Sequence, residues 1–377
     1  MSNDQTNAVD RTFVGLPSPS LGRAGAGGHP CQGVYHAPHG SRPKVAMIAT
    51  HYNVDFSEHY LADYMVARGY GFLGWNNRFR GDEAHFLLDH ALVDIGVGVR
   101  WLREMAGVER VILIGNSGGG SLMAAYQSQA VEPNVTALDG MQPAAGLDEL
   151  LPGDGYVSIA AHAGRPEVLT AWMDASVIDE FDPTKTDPTL DLWNPDNGLP
   201  YTAEFVARYR AAQEARNHRI TDWVRAEIDR VRAAGYQDRF FSVPRMWADP
   251  RTVDPTIDPN KRPPNRCYVG EPKRANRGVW GIASSVTLAT WLSLWSLQDS
   301  QTRGGPHLAR ITVPSIVINA NADTGVFPSD AAQIFAALGA TDKRSIGLDG
   351  DHYFRELQGA RDVLADLVAS WTSERFG

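Results

Sequence analysis

The chain reads as an α/β protein, a mostly parallel sheet flanked by helices and interrupted by an inserted, mainly helical cap. Three observations carry that reading. From Lys44 onward, short apolar runs alternate with helical periodicity, which is the rhythm of βαβ units. A Gly-x-Ser-x-Gly turn directly follows one such run and opens a helical stretch. Between residues 184 and 304 the rhythm breaks, so a cap is expected there, with 31–183 and 305–377 as the core and 1–30 as a flexible arm.

The arm follows from its Gly, Pro, Ser and Asn content and ends in Gly25-Ala26-Gly27-Gly28-His29-Pro30. Those glycines do not suit a dinucleotide loop, because no strand precedes them and Pro30 stands where a third glycine is wanted. Val45-Ala46-Met47-Ile48-Ala49 reads as a strand, followed by a helix over about 58–68 and a strand over 70–75. A helix over about 92–105 carries apolar Leu92, Ile95, Val99 and Leu102, and the strand Val111-Ile112-Leu113-Ile114 comes next. After the serine turn a helix runs through Leu122, Met123 and Tyr126; strands are expected over 155–160 and, as the last, 314–319. In the insertion, a long amphipathic helix over about 203–234 precedes a Pro- and Arg-rich loop and an apolar segment over 286–297. A covering helix over 356–371, striped by Leu357, Val363, Leu364, Leu367 and Val368, closes the pattern.

With 377 residues, 43% of them hydrophobic, the chain suits one large domain or a domain carrying an insertion. The balance of 35 Lys and Arg against 44 Asp and Glu gives a net charge of −9, which argues against a nucleic-acid binder and for small molecules. Only Cys31 and Cys267 occur, too few for a disulfide framework or a four-cysteine metal site. No His-Glu-x-x-His is present and His85 and His90 do not share a helix face, so no metal and no cofactor is expected. The first thirty residues lack the charged start and apolar run of a secretory signal, and no run reaches the roughly 18 apolar residues of a membrane span. A soluble, cytoplasmic protein is expected, with the oligomeric state open and a homodimer one option.

The turn Gly115-Asn116-Ser117-Gly118-Gly119 carries the chemistry. In a strand-turn-helix setting the serine stands at the apex with its hydroxyl exposed, and the helix start directs N–H groups and positive dipole at a developing oxyanion. Gly118 N–H is the first oxyanion donor on this reading, and Tyr52 N–H, in the loop Thr50-His51-Tyr52-Asn53, the second, with His51 positioning that loop. A serine hydroxyl needs a base, and the base an orienting acid, in the chain order Ser, acid, His. His352, in Leu348-Asp349-Gly350-Asp351-His352, is the only histidine beyond the expected last strand, and Asp323 stands in the loop leaving that strand. Asp174 and Asp179, after the preceding strand, are the alternative acids.

Together, Gly115 to Gly119, Asp323 and His352 resemble the α/β-hydrolase superfamily, and Asn77-Arg78-Phe79-Arg80-Gly81 is similar to an Arg-Gly loop common in it. The resemblance implies acyl transfer to water, most commonly on esters. The elbow is also similar to that of carbon-carbon bond hydrolases acting on ring-cleavage products of aromatics. The chain departs from those enzymes in having Gly118 rather than a bulky residue after the serine, Tyr353 rather than Trp after the histidine, and an insertion of about 120 residues. A non-catalytic ligand receptor on the same fold is the remaining alternative.

Seven of the ten tryptophans, Trp172, Trp193, Trp223, Trp247, Trp280, Trp291 and Trp295, lie in or beside the insertion. Aromatic walls suit an apolar or aromatic ester, with Trp172, Trp247, His51 and His162 as candidate substrate contacts. Trp223 and Trp291 fit helical stripes and are expected to pack the cap itself. The stretch 261–277 bears Lys261, Arg262, Arg266, Lys273, Arg274 and Arg277 against Glu271, which reads either as a carboxylate-binding loop or as a solvated one.

Overall fold

A computed structural model describes residues 8–20 and 29–377. The strands are β1 (Val9–Leu16), β2 (Cys31–Pro38), β3 (Val45–Ala49), β4 (Gly71–Asn76), β5 (Arg110–Asn116), β6 (Gly155–Ile159), β7 (Phe240–Phe241), β8 (Val286–Thr287), β9 (Ser315–Ala320) and β10 (Lys343–Leu348). Eight of them form one sheet in the order β1-β2-β4-β3-β5-β6-β9-β10. β1 pairs antiparallel with β2 and β2 antiparallel with β4, and every later pairing is parallel. The central strands are buried on both faces, as parallel sheets covered by helices must be.

The principal helices are α1 (Ala62–Val66), α2 (Leu88–Glu104), α3 (Gly119–Val131), α4 (Arg165–Trp172), α5 (Ala203–Ala233), α6 (Pro328–Ala337) and α7 (Ala360–Phe376). On one face the sheet's apolar side chains join those of α2 and α3. On the other, Met47, Ile112, Ile114, Ile316 and Ile318 pack with α1 and with Leu364, Val368 and Trp371 of α7. Between β6 and β9 the chain leaves the sheet and builds a helical layer around α5, with β7 and β8 paired as a small antiparallel ribbon.

Three differences from the sequence reading have physical causes. Val9–Leu16, expected as part of an arm, is a strand: Val9, Thr12, Phe13 and Val14 favour extended backbone and pair in register with β2. The rest of the expected arm, residues 1–7 and the glycine run within 21–28, lies outside the described residues. Residues 314–319 are not the final strand, because Lys343–Leu348 adds a half-exposed edge strand whose consecutive polar Lys343, Arg344 and Ser345 hid it. Trp291, expected in a helical stripe, lies instead in a π-turn over Trp291–Trp295 that follows a short strand and a single turn of helix.

β3 leads to β4 on one side while β5 lies on the other, so the chain reverses its order between β3 and β5. That is where an open α/β sheet leaves a crevice at its carboxyl edge. The crevice is tight: a Cβ at Gly119 would fall 2.2 Å from the Thr50 carbonyl oxygen. Gly119→Ala is therefore expected to cost about 1–3 kcal/mol by forcing two backbones apart. Gly305, with nothing within 4 Å of such a Cβ, is the control. Urea unfolding of the two variants checks it; equal stabilities would contradict the packing.

Candidate active site

β5 ends in Asn116, and Ser117 follows in a left-handed backbone conformation with φ 57°. A non-glycine residue holds that conformation only when its surroundings over-determine it. Ser117 N–H donates to the Ile159 carbonyl (3.1 Å), and its own carbonyl accepts from His162 N–H (3.2 Å) and Gly120 N–H (3.1 Å). Asn116 is clamped as well, donating to the Ile159 carbonyl (2.9 Å) and accepting from His59 Nε2 (3.2 Å). His59 Nδ1 accepts the Leu61 N–H, which places its proton on Nε2.

Asp323 follows β9 and is fully buried. Its Oδ1 accepts the N–H groups of Gly325 (2.9 Å) and Val326 (3.0 Å), and its Oδ2 lies 2.6 Å from His352 Nδ1. A carboxylate held this way fixes the imidazole with Nε2 turned to other work. Ser117 and His352 line one cavity of about 520 Å³, together with His51, His162, Trp172 and Trp247. Trp172 stacks on Trp247 with ring centroids 4.8 Å apart and meets His162 edge-on at 5.5 Å. The four side chains read as substrate contacts are thus together on the wall of the serine's cavity.

Gly118 caps α3 beside Ser117. The Tyr52 side chain is fully buried and its hydroxyl meets Ser121 Oγ of α3 at 3.0 Å, and Tyr52 does not line the cavity. His51 organises that loop through Nδ1, which accepts from Asn53 and Val54 N–H, both at 3.3 Å. The alternative acids are engaged elsewhere. Asp174 is buried with Ser176, Arg245 and Asn276, and Asp179 pairs with Lys185 at 2.9 Å.

Two side chains at the site escaped the sequence reading. Tyr268 sits within the basic stretch 261–277, where attention fell on the cations. Its hydroxyl lies 2.8 Å from His352 Nδ1 and donates to Asp323 Oδ1 at 3.3 Å. Gly325 makes the slot: a Cβ there would fall 2.3 Å from the Tyr268 ring. Of the cations in that stretch, Lys261 pairs with Asp349 and Arg262 donates to backbone carbonyls, so only Arg266 reaches the cavity. The second side chain is Arg165, at the start of α4, which is 4% exposed and lines the same cavity. Its only sequence signal is its place just after the carboxyl end of β6.

Burial sets the protonation of the surrounding histidines. It pushes His51 well below the ordinary range, helped by the Arg165 charge, and His162 likewise, with His352 and Arg165 nearby adding to the effect. Burial takes His59 down to about 3. A histidine depressed on folding takes up its proton more readily in the unfolded chain, so its stabilisation is complete above about pH 6.5 and is lost as pH falls towards 3. For His59 the loss between pH 7.5 and pH 5 is about 2 kcal/mol. Urea unfolding at the two pH values should therefore show a shallower fall in His59→Gln than in the parent by about that amount; identical falls would refute the assignment.

No family model matches the sequence, and no curated protein matches it. Among solved structures, the chain is similar to DcsB in complex with its substrate analogue, at 13% identity and a TM-score of 0.52 over 97% of this chain and 99% of that one. It is also similar to the α/β hydrolase GrgF from Penicillium sp. sh18, at 11% identity and a TM-score of 0.50 over 97% and 98% of the two chains. At this identity the likeness concerns fold. Strand order, the strand-turn-helix at Ser117 and that likeness agree: the chain has the α/β-hydrolase fold.

Proposed function

We propose that the protein is a serine hydrolase that cleaves a carboxylic ester of an apolar or aromatic small molecule through an acyl-enzyme on Ser117. The observation that carries this reading is the 2.6 Å pairing of His352 with buried Asp323 in the cavity that also holds Ser117 at φ 57°. In this reading His352 Nδ1–H donates to Asp323, and Nε2 takes the Ser117 proton as Oγ bonds to the ester carbonyl carbon. The oxyanion so formed accepts N–H bonds from Gly118 and Tyr52. Collapse breaks the ester C–O bond, and the alcohol leaves with the proton from His352. Water then adds to the acyl carbon, giving its proton to His352, and the second collapse frees the carboxylic acid and returns the proton to Ser117.

The stacked Trp172 and Trp247 with Tyr268 supply apolar walls for the substrate's body. Ser117→Ala is expected to lower kcat on an aryl ester by at least about a thousandfold while leaving urea unfolding within about 1 kcal/mol of the parent. Turnover within tenfold of the parent would mean another nucleophile, and a parent that turns over no ester would mean a protein that only binds ligands; either sinks the proposal.

A further inference from the structure

The cavity at Ser117 contains a charge that ester hydrolysis does not call for. Arg165 is buried in its wall, its guanidinium held between the Tyr52 ring at 4.8 Å and the Trp295 ring at 4.5 Å. Nη2 donates to Glu83 at 2.9 Å, while among the described residues Nη1 has no hydrogen-bond partner and buried Nε has none either. Glu83 is itself shared, since it also accepts the Ala283 N–H at 3.1 Å. A buried guanidinium with unmatched N–H groups is costly unless something negative completes it.

The free edge points at one place. A Cβ on Gly118 would lie 3.1 Å from Arg165 Nη1 and 2.8 Å from His51 Nε2, so both nitrogens crowd the space beside the nucleophile. His51 accepts two backbone N–H groups at Nδ1, which puts its proton on Nε2 and makes that atom a donor. Two donors of different side chains therefore adjoin one another beside Gly118, one of them cationic. This also accounts for glycine after the serine: a larger residue would fill the place these groups occupy.

We propose that Arg165 Nη1 and His51 Nε2–H form a subsite for a carboxylate on the acyl part of the substrate, so that the enzyme prefers half-esters of short dicarboxylic acids. This rests on the ester-hydrolase reading above. The carboxylate belongs to the acyl part because the leaving oxygen takes its proton from His352 and so faces that residue, whereas Arg165 and His51 adjoin Gly118. Closeness to Gly118 restricts the spacer to a few carbons. The subsite works by charge-assisted hydrogen bonding, and the aromatic wall remains for the leaving group.

The test compares 4-nitrophenyl hydrogen succinate and hydrogen glutarate with neutral 4-nitrophenyl esters of equal acyl length. The expected kcat/KM ratio favours the acidic esters by about tenfold or more and falls at least tenfold in Arg165→Met, chiefly through KM. A parent ratio at or below one, or a ratio unchanged in the variant, overturns the proposal. So does an equal loss of kcat on both ester classes, which would make Arg165 a donor to every oxyanion. Because Arg165→Met removes a buried ion pair and could unfold, calorimetry on Ser117→Ala protein provides a measurement free of that change and of ester turnover. Glutarate is expected to bind at least tenfold more tightly than glutaramide, and equal binding overturns the subsite even if esters are hydrolysed. Binding of glutarate without turnover of any ester in the parent would keep the subsite and reject the hydrolase.

Discussion

Ser117 is held in a left-handed backbone conformation that an L-residue adopts at a cost of about 1–3 kcal/mol, and the rest of the site is arranged around keeping it there. The hold comes from three directions. Ile159 of β6 accepts from both Ser117 N–H and the Asn116 side chain. His59, ahead of α1, donates to Asn116 from the other side. α3 presses so close to the loop after β3 that only glycine fits at position 119. The apex therefore belongs to β5, but the groups that fix it come from β6, from the loop after β3 and from the approach to α1. A strained nucleophile turn needs such breadth of support, since any single contact is worth only about 1 kcal/mol.

The insertion contributes to the same centre rather than merely shielding it. Tyr268 reaches from it into the slot opposite Gly325 and bonds the Asp323 carboxylate, while Trp247 stacks on Trp172 of α4. Asp323 is thus satisfied by two backbone N–H groups, an imidazole and a phenol, which is what a fully buried carboxylate requires. Burial raises the Tyr268 phenol well above its ordinary range, with Asp323 adding to the effect, so the hydroxyl stays a donor. Arg165 is the exception to this economy, paired on one side only.

Much of this was legible in the residues because the signals were local and periodic. The apolar runs of β3, β5 and β9, the 3.6-residue stripe of α2 and the unbroken pattern of α5 are set by burial on the sheet and need no distant partner to be recognised. That Ser117 and His352 meet at one cavity, with Asp323 behind His352, was legible through chain order, because a fold with a fixed strand sequence delivers its loops in a fixed order. What was hidden depends on contacts between distant segments. β1 and β10 are edge strands whose half-exposed faces break the apolar pattern. Tyr268, Arg165 and His59 sit in loops or at helix starts, and their importance comes from what lies opposite: Gly325, Gly118 and Asn116. A glycine that yields space to another side chain leaves no mark at that side chain's own position.

The central claim is that Ser117 is a nucleophile made reactive by the folded arrangement of His352 and Asp323. The most direct measurement is incubation of the folded protein with a fluorophosphonate, followed by mass spectrometry of its peptides. The account predicts a single adduct on Ser117, forming far more slowly in His352→Ala and in urea-unfolded protein. An unlabelled Ser117 in folded protein, or a labelling rate indifferent to His352 and to unfolding, would contradict it.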